Sequence, residues 1–198
     1  MRRATRIISA FLLFLGAASA NALLAVPVAN ISLLPASQDV AVGDSLVLQI
    51  FGEYFGPARL LSGAVNLRFD PVAVSITGVA VTAGLGDIAS SNGTIDNLGG
   101  NVLELGFTSF SGVTGSFLLA TVNVSVLGAG TTQLTLSDAN SAVFTWTNSN
   151  VAVDPFGEAV LPQFSNAAID VSAVPLPLPV ALLGSALFGL FGAARRRV

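Results

Sequence analysis

The sequence predicts an all-β fold, an antiparallel β-sandwich, on three observations. Apolar and polar residues alternate with period two through the interior of the chain. Turn signals rich in Gly, Asn and Asp separate the alternating runs, and no helical period appears outside the two termini. Many short strands joined by Gly-rich turns make a sandwich, since each one-sided sheet must bury its apolar face against another.

The elements follow in order. An early strand is expected around Asn30–Leu34, then one in which Leu46, Leu48 and Ile50 share a face. Val65, Leu67 and Phe69 alternate with Ala64, Asn66 and Arg68, and Asp70-Pro71 closes that strand because Pro cannot continue a ladder. Leu103, Leu105 and Phe107 alternate with Val102, Glu104 and Gly106. The longest run sets Leu118, Ala120, Val122, Val124 and Val126 against Leu119, Thr121, Asn123 and Ser125. Leu134 and Leu136 follow, and a last strand is expected at Ala168–Val171. Turns fall at Val42-Gly43-Asp44, Ser91-Asn92-Gly93, Leu98–Asn101 and Leu127–Gly130. Residues 84–101 and 147–166, richer in Gly, Asn and Asp, are expected to be loops or poorly paired edge strands.

The two ends carry a different code. Arg2, Arg3 and Arg6 precede an apolar stretch from Ile7 to Ala18. Small residues then offer cleavage at Ala18-Ser19-Ala20 or Ala20-Asn21-Ala22. This is a secretory signal peptide, residues 1–22, for signal peptidase; an uncleaved anchor is the alternative. At the other end stand Val174, Pro175, Leu176 and Pro177, an apolar run over 178–194, and Arg195, Arg196 and Arg197. Val180–Ala194 reaches roughly 22 Å as a helix against a hydrocarbon core of roughly 30 Å. The segment is short but adequate to span, with the arginines at the headgroups on the cytoplasmic side. The competing reading, a buried core helix, must place three arginines at its end.

Between the ends, residues 23–173 form one domain of ordinary size. Lys, His and Cys are absent, and two Arg against 11 Asp and Glu leave this stretch at −9. Such a surface is a poor match for nucleic acid, whose phosphates require clustered cations. It is equally poor for anionic lipid. Without Cys the domain is held by its core alone.

The order of these motifs resembles the cohesin-type domains, within the superfamily of carbohydrate-binding β-sandwich modules. The resemblance rests on Gly43-Asp44 before a strand, Phe69-Asp70-Pro71, the run Gly115–Val122, and Gly128-Ala129-Gly130 leading into Thr131–Leu136. It covers roughly residues 30–172 and implies a nine-stranded jelly roll that binds a dockerin partner or, in related modules, polysaccharide. The tail resembles the VPLPA variant of the PEP-CTERM sorting signals, with Leu178 where Ala is usual. That resemblance implies recognition by an exosortase, which removes the helix and basic cluster. The protein is then left at the cell surface or in the extracellular matrix. A plain permanent anchor is the runner-up.

Chemistry is sparse. Without His or Cys, Ser-His and Cys-His nucleophiles and His-type zinc sites are excluded. Asp87, Asp96 and Glu104 are the carboxylates a glycosidase would need, and they are also ordinary solvated positions. Calcium has two candidate groups, Asp87, Asn92, Asp96 and Asn97, or Asp138, Asn140, Asn148 and Asn150. Neither has EF-hand spacing, and such turns form for conformational reasons alone. For stacking on sugar the candidates are Tyr54 and Trp146, Trp146 being either a core plug or an exposed ring beside Phe144. Phe51, Phe55, Phe69, Phe107 and Phe117 read as core or turn packing. Two functions stand: a surface protein binding exopolysaccharide or a protein partner, and a structural spacer without a ligand.

Overall fold

A computed structural model describes residues 26–150, 154 and 156–173. The expected signal peptide with Ala18 and Ala20, the Val174–Pro177 motif, the apolar run and Arg195–Arg197 lie outside the described residues. Among the described residues no helix is long and apolar enough to cross a membrane.

Among the described residues twelve strands form two packed sheets. They are β1 (Val28–Leu34), β2 (Ser37–Ala41), β3 (Ser45–Tyr54), β4 (Leu60–Arg68), β5 (Val74–Val81) and β6 (Ala89–Asp96), then β7 (Asn101–Val113), β8 (Gly115–Val126), β9 (Gly130–Asp138), β10 (Thr147–Asn148), β11 (Leu161–Ser165) and β12 (Ala167–Ser172). The first sheet runs β11-β1-β3-β8-β5, the second β2-β12-β9-β4-β7-β6, with β10 beside β4. Both inner faces meet in one core that includes Ile31, Leu48, Ile50, Leu67, Leu105 and Val122. The apolar alternation read from the sequence is what builds it.

The expectation of a purely antiparallel sandwich needs correction. β1 pairs in parallel with β11, and β2 in parallel with β12. The first and last strands cross together from one sheet to the other, at Pro35-Ala36 and at Asn166. The Ala168 amide bonds the Ala36 carbonyl at 2.9 Å at this crossing. Two strands that start side by side and share one crossover can pair only in parallel. The chain thus enters at one end of the sandwich, near Tyr54, and leaves at the other, where Ser172 lies opposite Ala41.

Two bulges shift the alternation by one residue. In β7, Glu104 has φ +59° and its amide donates to Asn66 Oδ1 at 2.9 Å. Val102 therefore points inward with Leu105 and Phe107, while Leu103 is exposed, the reverse of the reading for Val102 and Leu103. In β8 the register shift lies between Ile50↔Ala120 and Phe51↔Leu118. Leu119, not Leu118, is the buried residue there. Of the two readings for residues 84–101, loops or poorly paired edge strands, the edge strand holds: they contain β6, paired with β7 from Ala89 to Asp96. The stretch 147–166 holds β10 and β11. Their polar composition hides them, since an edge strand buries little.

Candidate functional site

The aromatic candidates turn inward. Tyr54 is fully buried and its hydroxyl accepts from Asn148 Nδ2 at 2.9 Å. Burial pushes the phenol above its ordinary range, opposed by the Asn148 bond and reinforced by the Glu158 charge. Trp146 is buried against Gly63, whose position has no room for a Cβ beside the indole. Its Nε1–H donates to the Ala64 carbonyl at 3.1 Å. The Ala139 amide donates to that same carbonyl, so the loop between β9 and β10 is closed on one oxygen. Neither ring offers a face to sugar, and the candidacy of Tyr54 and Trp146 as stacking residues is corrected on that ground. Phe55, expected in packing, is instead exposed.

The carboxylates do not converge either. Asp87 precedes β6 and Asp96 is its last residue, so the strand, whose eight residues span roughly 24 Å, separates them. A glycosidase pair needs about 5–9.5 Å. Asp96 Oδ1 receives the Leu98 and Gly99 amides at 3.1 and 2.9 Å. Glu104 is exposed on its bulge.

The calcium groups are consumed in the same way. Asn92 Oδ1 takes the Val81 amide and Asn97 Oδ1 the Ile76 amide. Asp138 Oδ1 caps the Asn140 amide, and buried Asn148 spends its own oxygen on the Asn150 amide. Among the described residues no group of three Asp or Glu side chains is placed to hold a metal.

One surface feature is built. Between the pairs Ser62↔Thr108 and Leu60↔Val113, four residues of β7, Ser109 to Gly112, face the single residue Leu61. The excess is thrown out as a knuckle with Phe110 at its tip, 86% exposed. Its backbone is pinned from both sides. Asp87 Oδ1 accepts the Phe110 amide at 2.6 Å, and Oδ2 accepts the Ser111 amide at 3.1 Å and its hydroxyl at 2.8 Å. These bonds, the Ser111 hydroxyl foremost, hold the Asp87 carboxyl down at about 2.

On the other side the Gly112 amide donates to Ser109 Oγ at 2.9 Å, and Arg59 Nη2 donates to the Gly112 carbonyl at 2.8 Å. Gly112 has φ +61°, and a Cβ there would meet Arg59 and the Leu60 carbonyl, so glycine is required. The result is a large apolar ring in water on a backbone that has little freedom left to lose on binding. Thr108 and Phe110 alternate to the outer side of the second sheet, where Leu103 and Arg68 are also exposed.

The site was not legible in the sequence. Asp87 stood out for its charge and is a clamp. Phe110 carried no signal beyond an aromatic between serines ahead of a glycine.

No protein-family model matches the chain, and no curated protein matches it. Solved structures do. The seventh ScaB type I cohesin from Pseudobacteroides cellulosolvens is 17% identical with a TM-score of 0.57, covering 76% of this chain and 96% of that one. A type I cohesin–dockerin complex from Clostridium thermocellum gives 11% identity and a TM-score of 0.57, over 75% of this chain and 96% of that one. A non-cellulosomal cohesin from the archaeon Archaeoglobus fulgidus gives 15% and 0.50, over 73% and 91%. The chain has a cohesin-like β-sandwich fold.

Proposed function

We propose that this chain is an exported, non-catalytic binding module that grips a protein partner with the Phe110 knuckle. In this reading signal peptidase removes residues 1–22, and an exosortase sorts the protein through Val174–Pro177 and the tail to the cell surface or matrix. The observation that carries the binding role is a ring 86% exposed on a backbone fixed by Asp87, Ser109 and Arg59. Aromatic side chains are among those enriched at interfaces. Several of the similar structures are cohesins in complex with dockerins, which makes a dockerin-like module the first partner to try. The exopolysaccharide reading is less well supported, because Tyr54 and Trp146 are buried.

Calorimetry of the protein against a panel of dockerins, and a glycan array in parallel, test the binding role. Binding to a protein that drops at least about tenfold in Phe110→Ser supports it. Retention on a polysaccharide, unaffected by Phe110→Ser, overturns it. Mass spectrometry of the mature protein from its host tests sorting: a chain ending upstream of Arg195 supports it, and an intact Arg195–Val198 end leaves a plain anchor.

A further inference from the structure

The two sheets differ in charge. The strands β11, β1, β3, β8 and β5 contain one charged residue among them, Glu53. Every strand of the second sheet except the two-residue β10 carries at least one: Asp39, Asp170, Asp138, Arg68, Glu104 and Asp96. The outer face of the first sheet is made instead of Ser32, Gln49, Thr121, Asn123 and Ser125 around an apolar centre. There Phe51 and Leu118 sit opposite each other, both half-buried, with Val47 56% exposed.

We infer that this face is where a second copy of the same chain packs. Residues 26–173 carry two Arg against 11 carboxylates, −9 in all, so two copies repel wherever carboxylates meet. The outer face of the first sheet holds a single carboxylate, Glu53 near the end of β3, and is the extended surface on which they meet with the least of that cost. Ser, Thr, Asn and Gln each donate and accept, so the face is complementary to itself, as a two-fold contact requires. A strongly charged partner gains nothing there.

The size fits. The five strands hold 42 residues in all, each covering about 3.4 Å along its strand and 4.8 Å across, which gives a face of roughly 700 Å². A stable complex buries about 800 Å² per partner. The Phe110 knuckle belongs to the other sheet and stays free in such a pair.

Sedimentation equilibrium of the full chain in detergent tests the contact. A dimer is expected that Val47→Glu and Gln49→Glu each weaken at least about tenfold. Val47→Gln, which adds no charge, should retain it. Ser137→Glu on the outer face of the second sheet and Phe110→Ser should leave it unchanged. The emission of Trp146, the chain's single Trp, reports that each variant is folded. A monomer at all concentrations overturns the inference. A dimer indifferent to both Val47→Glu and Gln49→Glu also does, since the apolar tail is then what associates. So does a monomer whose binding to a neutral polysaccharide is lost in Val47→Glu. None of these outcomes depends on whether Phe110 binds a partner.

Discussion

Asn97 holds Ile76 by both of its backbone polar groups. The Ile76 amide donates to Asn97 Oδ1 at 2.8 Å, and Asn97 Nδ2 donates to the Ile76 carbonyl at 2.9 Å. Five residues further along β5, Asn92 Oδ1 in β6 takes the Val81 amide at 2.8 Å. The outer edge of β5 is thus completed by side-chain amides from the opposite sheet, where another strand would otherwise sit. Such an edge is no longer a template for foreign strands.

Asn97→Ala leaves a donor and an acceptor of Ile76 without partners. We expect a loss of about 1–3 kcal/mol in urea unfolding, larger than for Asn92→Ala, which frees one group. Equal, near-zero losses for both variants would show that water replaces the amides freely.

Asp87 makes the knuckle pH-sensitive in one direction. Its carboxyl is lowered in the folded chain from 3.8 to about 2, so its contribution is full above pH 4 and fades as pH falls towards 2. The Phe110 and Ser111 amide resonances should titrate with a midpoint near 2. In Asp87→Asn that transition disappears and Phe110 exchanges its amide proton faster at neutral pH. A midpoint at the ordinary value of 3.8 would refute the clamp.

Gly63 and Trp146 share one volume. Gly63→Ala forces the indole or the strand to shift, costing about 1–3 kcal/mol. Trp146 emission should move to the red as the ring loses its buried seat. An unshifted spectrum with wild-type stability would contradict the packing.

Tyr54 is the chain's single Tyr, so its phenolate absorbance is unambiguous. It should titrate above 10.0, because burial disfavours the ionised form. The stability linked to it is present below pH 10 and lost as pH rises through the folded value. Asn148 donates to the phenol oxygen and lowers its pKa, so Asn148→Ala should move the titration higher still. A midpoint at 10.0 would mean that the ring is wet.

The core of the fold was legible because period-two runs such as Val122, Val124 and Val126 can be satisfied only by a one-sided strand. The phase errors at Leu103 and Leu118 were not, since one inserted residue reverses every side chain beyond it. A bulge at Glu104 leaves no compositional trace. Edge strands such as β6, Ala-Ser-Ser-Asn-Gly-Thr-Ile-Asp, bury too little to show a pattern. The site was the least legible part. Phe110 acquires its meaning from Asp87, 23 residues earlier, and no local pattern encodes that pairing. Val47, Phe51 and Leu118 likewise show themselves as a neutral face only once β3 and β8 are set side by side.

The parallel pairing of β1 with β11 and of β2 with β12 has a mechanical consequence. Because the chain enters at one end of the sandwich and leaves at the other, tension between its two ends pulls the first and last strands lengthwise past each other. The five residue pairs of each ladder then bear the load together, in shear, and no single pair can be peeled first.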